Sequence, residues 1–409
     1  MCATRFCVAL LATALATPAA SQHNDQPLVL RNANLIDGLR DELQSNVTVI
    51  VRRGRIISVG SDRFPASATV INLEGRFLLP GLIDMHAHFP RLANAQRALR
   101  EGVTTARAMG GEYFADVGLR TLHRSGAADV PDVLAVGYQV TRFPFDALFL
   151  DAPELRPLYQ RDDRLEAYRG VVRLDARRRV DFIKVLASQR AGRPEQDPSQ
   201  RSLNDEELTS VIMRARRASI PVAVHSHTDD GTRAAVLAGA RTIEHGTATS
   251  DQTLLLMRER GVCFVPTVAS WASNWDGVND NPVLTARARQ MQPVAADTAA
   301  RAFQLGVTLG AGSDMAYEAS DTITLIDEMV ALTRTGMSPM DAIRAVTATA
   351  AQCLGIERRT GAIRPGLEAD LIVVGADPTE DLAALRNPLM IINGGQVAVD
   401  RIRNESLAP

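Results

Sequence analysis

Five of the seven histidines in this chain fall into three short clusters. His86 and His88 stand in GLIDMHAH, His225 and His227 in IPVAVHSH, and His245 in ARTIEHG. On a β-strand, residues i and i+2 share a face, so each His-x-His pair can turn two imidazoles toward one metal ion. Lys184, in VDFIKVLAS, is the sole lysine among 45 lysine and arginine residues, and it interrupts an apolar run. An unpaired buried ammonium is costly. Arginine can replace lysine on a surface but cannot act as a deprotonated amine near neutral pH, so a chemical role is expected for Lys184. Asp314 ends the run GVTLGAGSD. The other two histidines lie elsewhere, His23 near the N-terminus and His123 in a helical, surface-like stretch.

Positioning these groups requires strands that end side by side. Eight apolar runs fit: LPGLIDMHAH, VTTARAMG, DVLAVGYQV, VDFIKVLAS, IPVAVHSH, ARTIEHG, GVCFVPTVA and GVTLGAGSD. Helical stretches such as NDEELTSVIMRARRAS lie between many of them, with Asn204 or Ser202 as the expected cap. The alternation predicts βα units and an α/β fold, with eight units favouring a (β/α)8 TIM barrel over residues 81–364. Barrel closure would gather the histidines, Lys184 and Asp314 at one rim. Residues 28–80 and 365–405 have the texture of short strands and turns, which predicts a small discontinuous β-sandwich domain made by both chain ends. Segments 141–180, 189–205 and 270–292 exceed compact connections and are candidate lids or specificity loops.

Composition narrows the function classes. Net charge is -2 and aromatic residues make up 4%, so neither a basic footprint nor a stacking platform for nucleic acid is present. Residues 1–21 combine Arg5, an apolar stretch and small residues at Ala19–Ser21, a secretory signal pattern with cleavage expected after Ser21 or Ala20. An exported, periplasmic or secreted protein without stable membrane insertion is therefore expected. Cys2 and Cys7 would leave with the signal. Cys263 and Cys353, far apart in apolar strand-like and helical runs, are expected as two buried thiols rather than a disulfide.

The ordered segments LPGLIDMHAH, FIKVLAS, VHSH, TIEHG, GSD and RPGLEADLIV resemble the amidohydrolase superfamily over nearly the whole mature chain, in the binuclear-metal group with a carboxylated lysine. The resemblance implies one divalent metal on His86, His88 and Asp314 and a second on His225 and His245. Lys184, carboxylated by carbon dioxide, would bridge both. Zinc suits these ligands best, with manganese, iron and cobalt as alternatives. The implied reaction is attack of a metal-bridging hydroxide on an amide carbonyl, with Asp314 as general base and then acid. His227 reads as a substrate-contacting catalytic donor or polar neighbour of the ligands, a core histidine with a backbone partner, or a metal ligand in place of His225. Glu244 is expected on the strand face opposite His245, tying barrel to helices, and Asp84 as a deeper structural group.

The segment style is similar to the imidazolonepropionase-like, Xaa-Pro dipeptidase and ochratoxinase branch, which implies a small-molecule dipeptide or N-acyl amino acid substrate. Cyclic-amide or lactone hydrolysis is the main alternative, a deaminase a weaker one and a noncatalytic protein the weakest. Two departures stand out: strand four continues as ASQRAGRPEQ rather than a glycine-rich turn, and Asp314 is followed by MAYEASDT without a histidine or glycine run. Tyr138 and Arg142 are the candidate anchors for a substrate carboxylate, with Arg190 and Arg193 also available. Phe143, Phe145, Trp271 and Trp275 either wall an apolar pocket or pack the loops. A homo-oligomer is compatible with this reading.

Overall fold

The computed structural model describes residues 25–160, 163–274 and 281–402. The signal pattern and Trp275 lie outside the described residues. The fold is α/β, with fifteen strands among the described residues. They are β1 (Leu28–Leu35), β2 (Gln44–Arg52), β3 (Arg55–Val59), β4 (Thr69–Asn72), β5 (Phe77–Pro80), β6 (Leu82–Ala87), β7 (Val103–Ala108) and β8 (Asp132–Leu134). There follow β9 (Ile183–Leu186), β10 (Val222–Ser226), β11 (Thr242–His245), β12 (Cys263–Val265), β13 (Leu371–Val374), β14 (Met390–Asn393) and β15 (Gln396–Asp400).

Strands from the two ends of the chain pair in one branched sheet, ordered β15-β14-β13-β5-β1-β2-β3 with β4 on β1. The joint is the antiparallel pair β13 and β5, with Val373 opposite Leu78. Alternating apolar residues, including Leu30, Val49, Leu78, Leu371 and Ile392, bury one core of this sheet. The pairing runs in one continuous order rather than in two separately paired sheets.

The middle of the chain forms two parallel sheets, β6-β7-β8 and β12-β11-β10-β9. Edges meet where Val140 pairs with Val185, its N–H donating to the Lys184 carbonyl at 2.8 Å. The eighth run makes isolated bridges instead of a strand: Leu309 pairs with Phe264, and Met315 with Ala87. Gly310 and Gly312 explain the close approach, since a Cβ at either would collide with Met85 or His86. Asp314 N–H donates to the His86 carbonyl at 2.7 Å, which locks the end of this run beside β6.

Helices between the strands start and stop where the sequence signals them. Asn204 caps the helix Asp205–Arg217 in a reciprocal box with Glu207, at 2.9 and 2.8 Å. Thr228 and Ser250 cap the next two, which end at Gly239 and Gly261 in the left-handed region.

One expectation is overturned. Cys263 on β12 and Cys353 in the helix Ala348–Leu354 form a disulfide, with Cα atoms 5.9 Å apart. A separation of 90 residues hid this proximity. It is made by tertiary packing, in which Arg241 donates to the Cys353 and Gln352 carbonyls at 2.8 and 2.6 Å.

Candidate metal centre and active site

The strand ends converge as the spacing requires. His86 Nε2 and His88 Nε2 each lie 3.2 Å from Asp314 Oδ1, and His245 Nδ1 lies 3.9 Å from Asp314 Oδ2. Ligand-type atoms of His86, His245 and Asp314 all fall within 4.8 Å of one another. His225 stacks edge-on against His245, ring centroids 4.6 Å apart, and against His227 at 4.5 Å. These residues and Lys184 line one cavity of about 270 Å³. The Lys184 Nζ is buried there without a hydrogen-bond partner. Imidazoles and a carboxylate gathered around one cavity suit a divalent metal, and the buried amine beside them has no acceptor of its own.

Local backbone conformation places two of these groups. His245 has φ 66° and Asp314 φ 56°, both in the left-handed region that costs non-glycine residues energy. At His245 this breaks the simple alternation of β11, and it corrects the expectation for Glu244. Glu244 lies in register with His225 rather than turning to the helices, and its Oε2 accepts from His86 Nδ1 at 3.0 Å. Its Oε1 accepts from Arg107 at 2.7 Å, both side chains being fully buried. Asp84 takes the deeper structural position: it accepts from Ser313 Oγ at 2.6 Å, Tyr317 OH at 2.7 Å and the His86 N–H at 3.0 Å. One carboxylate thereby ties β6 to the turn that carries Asp314.

The electrostatics favour neutral imidazoles and charged carboxylates. Burial pushes His88 down and His225 and His245 well down; at His245 this outweighs the opposing pull of Asp314. Burial opposes ionisation of Glu244, but Arg107 and His86 overcome it and hold the carboxyl far below its usual range. An ionised Glu244 accepts from His86 Nδ1–H, which orients the ring so that Nε2 faces Asp314. Asp314 is likewise held low against burial, by His86, His88 and His245. Burial brings the Lys184 amine down to about 7, so a neutral, nucleophilic amine is accessible at ordinary pH. His227 is pushed down to about 3 by burial. Its Nδ1 faces Thr247 Oγ1 at 2.8 Å and its backbone N–H donates to Ser188 Oγ.

The loops treat the other candidate residues differently. Segment 189–205 brings Arg190 and Arg193 to the cavity, while Trp271, from the segment Val268–Asn274, stands 5.8 Å from His227. The Trp271 indole N–H is buried without a partner. A second cavity of about 650 Å³ adjoins the first and shares His88, Gln139, Arg190 and Arg193 with it. Tyr138 lines this second cavity, but its hydroxyl already accepts from the Tyr113 N–H and donates to Asp151 at 2.6 Å. The structure does not bring Arg142 to either cavity: it is exposed, with its guanidinium over Phe143. Phe145 lines the second cavity and Phe143 does not. Gln139, Thr247, Ser188 and Thr267, whose Oγ1 lies 2.7 Å from His245 Nδ1, carried no sequence signal, because uncharged polar residues after strands are commonplace.

Comparison with known proteins places this arrangement. The model of the amidohydrolase family matches residues 77–397. Ochratoxinase from Aspergillus niger is 32% identical over 235 residues, covering 55% of this chain and 47% of that protein, so the match spans about half its length. Imidazolonepropionase from Geobacillus thermodenitrificans is 24% identical over 424 residues, covering 90% of this chain and 94% of its own. The crystal structure of a Xaa-Pro dipeptidase with bound methionine in the active site superimposes with a TM-score of 0.81 at 25% identity, covering 91% of this chain and 99% of the other.

Proposed function

The chain belongs to the amidohydrolase family, and from that premise we propose that it hydrolyses an amide or peptide bond in a dipeptide or N-acyl amino acid. His86, His88 and Asp314 would hold one divalent ion, His225 and His245 a second, and carboxylated Lys184 would join them. Zinc suits this mixture of imidazole and oxygen donors. The observation that carries the reading is the orphaned Lys184 Nζ within the ring of histidines and Asp314. Ions held there would supply Lewis acidity that polarises the scissile carbonyl and activates water.

The protein's own groups supply the proton path. Asp314, ionised and facing the cavity, accepts a proton from the attacking water and delivers it to the departing nitrogen. The Thr247 hydroxyl, donating to His227 Nδ1, would fix the tautomer that presents Nε2–H to the developing oxyanion. Neutral His227 can donate without carrying a charge into the site. Glu244 and Asp84 hold His86 and the Asp314 turn in place without touching the substrate.

The parallel sheets and the bridged eighth run support a closed (β/α)8 barrel over 81–364, and the sheet shared by both chain ends supports a composite β domain of 28–80 plus 365–405. The signal pattern and the Cys263–Cys353 disulfide support an exported enzyme, since such bonds persist in oxidising compartments. No helix among the described residues is long and apolar enough to cross a membrane.

Metal analysis and turnover of a panel of dipeptides, N-acyl amino acids and cyclic amides by zinc-reconstituted protein test the proposal. Two ions per chain and release of free amino acid are expected. Lys184→Arg should keep a folded chain, lose metal occupancy and with it most of the activity. Asp314→Asn should retain some metal yet lose most turnover. Full activity with metal retained in Lys184→Arg would defeat the bridging assignment. Turnover confined to cyclic amides would shift the reading toward the imidazolonepropionase relative.

A further inference from the structure

The chain leaves β8 through a turn whose backbone donors are taken up by side chains. Gly137 has φ 65°, and the three consecutive N–H groups of Val136, Gly137 and Tyr138 meet carboxylates instead of a neighbouring strand. Asp116 Oδ2 accepts from Val136 and Gly137 at 2.8 and 2.7 Å, and its Oδ1 accepts from the Val117 N–H at 2.8 Å. Asp175 Oδ1 accepts from Tyr138 at 3.0 Å. Asp116 comes from the helix Ala115–Arg124 and Asp175 from the helix Arg164–Arg177, so two helices grip one turn. Successive N–H groups in a left-handed turn make a seat for an anion, and here two of the chain's own carboxylates fill it.

Both acids are buried at a cost. Asp175 is fully buried and Asp116 nearly so. Burial pushes both carboxyls up, and the Asp116 charge adds to the rise at Asp175. Arg120, on the same helix as Asp116, pairs with Asp181 at 2.6 Å instead. Among the described residues Asp175 Oδ2 has no hydrogen-bond partner. The fit is also tight: a Cβ at Gly137 would lie 2.5 Å from Asp175 Oδ1, and one at Gly111 would lie 2.9 Å from Asp116 Oδ1. A turn that needed only closure could use hydroxyl or amide side chains, which lose less on burial than a carboxylate does.

The turn carries the wall between the two cavities. Gly137, Tyr138 and Gln139 line the second cavity, and Gln139 also lines the histidine cavity. The Gln139 side chain donates to the Met109 carbonyl at 2.8 Å and accepts from Arg190 at 2.6 Å. Gly110, at φ 145°, leaves room for it, since a Cβ there would lie 2.4 Å from Gln139 Nε2. Contacts therefore run unbroken from the two buried acids, through the turn and Gln139, to a guanidinium at the histidine cavity. We infer that Asp116 and Asp175 are positioning residues for the reaction: they clamp the turn 136–139, and the clamp sets where Gln139 and Arg190 stand against the histidine cavity. The inference rests on the amide-hydrolase reading for what the wall serves, and neither acid touches the substrate.

Hydrogen exchange, arginine labelling and kinetics on the zinc-loaded protein test it. In Asp175→Ala, exchange of the amides at 136–138 should quicken about tenfold or more. Labelling of Arg190 by phenylglyoxal, read by peptide mapping, should rise with it, while zinc content stays at the wild-type level. With N-acetyl-L-methionine, or the panel member that the wild type cleaves fastest, KM should rise about tenfold while kcat falls less. Asp175→Asn keeps an oxygen for the Tyr138 N–H and should stay within about twofold of wild type in each measurement. Gly137→Ala drives a Cβ into the clamp and should reproduce the Asp175→Ala pattern, which carries the test if Asp175→Ala does not fold. Unchanged exchange in both variants would remove the clamp. Faster exchange with unchanged Arg190 labelling and unchanged KM would leave the acids a purely structural role and overturn the inference, as would equal losses in Asp175→Asn and Asp175→Ala. If exchange and labelling respond as expected but the wild type turns over no amide of the panel, the clamp stands and the hydrolytic reading falls.

Discussion

Glu244 serves two partners with one carboxylate, receiving His86 Nδ1–H on one oxygen and Arg107 on the other. Arg107 is fully buried, also donating to the Met85 carbonyl and Thr242, and lies 4.9 Å over the Phe182 ring. Glu244→Gln removes the compensating charge while keeping the shape. Leaving one buried partner uncompensated costs about 3–5 kcal/mol, so unfolding in denaturant should show a loss of that order. The same substitution weakens the orientation and basicity of His86, and metal affinity should fall roughly 10–100-fold in a chelator competition. Wild-type stability and metal retention together would contradict this view of Glu244. The metal-ligand candidates were legible in the sequence because their types are rare and their spacing matches a strand. Glu244 was misread because period-2 alternation assumes ordinary strand dihedrals, and His245 does not have them.

At the scale of elements, the segments after the strands decide how the site is walled. Arg287, from the helix Pro282–Gln304, donates to the carbonyls of Ala191, Arg193 and Gln196, and so fixes the loop that brings Arg190 and Arg193 to the cavities. Glu328, in the helix Leu325–Thr333, accepts from the Ala269 N–H at 2.7 Å and holds the turn that presents Trp271. Burial pushes Glu328 up to about 8 against a usual value near 4.5. Between those values the folded chain keeps a proton that the unfolded chain has released, so this group lowers stability as pH rises. Below the window both states are protonated and the penalty vanishes. Denaturant unfolding of wild type and Glu328→Gln at pH 4 and pH 8 should show a difference that shifts in favour of the variant at the higher pH. A difference independent of pH would remove Glu328 from this role. The lengths and places of these segments were readable from the sequence, whereas which residue faced the cavity was not. Arg142 and Arg190 have the same chemistry, and only the path of the chain separates them.

Over the whole molecule, distant segments are joined where local signals are weakest. The disulfide closes a loop spanning 90 residues and pins β12 to the helix Ala348–Leu354. A bond of this kind typically contributes about 2–4 kcal/mol, so the double variant Cys263→Ala, Cys353→Ala should lose stability on that scale while keeping bound metal. Denaturant unfolding under oxidising conditions measures the loss; no loss would assign the bond no structural weight. The pairing of β5 with β13 similarly brings residues near the two chain ends into one sheet. The sequence by itself determined the α/β class, the family and the ring of chemical residues, because periodicity, caps and rare side-chain types are local properties. Only the tertiary structure decided the disulfide, the double use of Glu244, and which arginines line the cavities. Each of these depends on distances between segments far apart in the chain, and those distances are set by packing and by left-handed backbone at single residues.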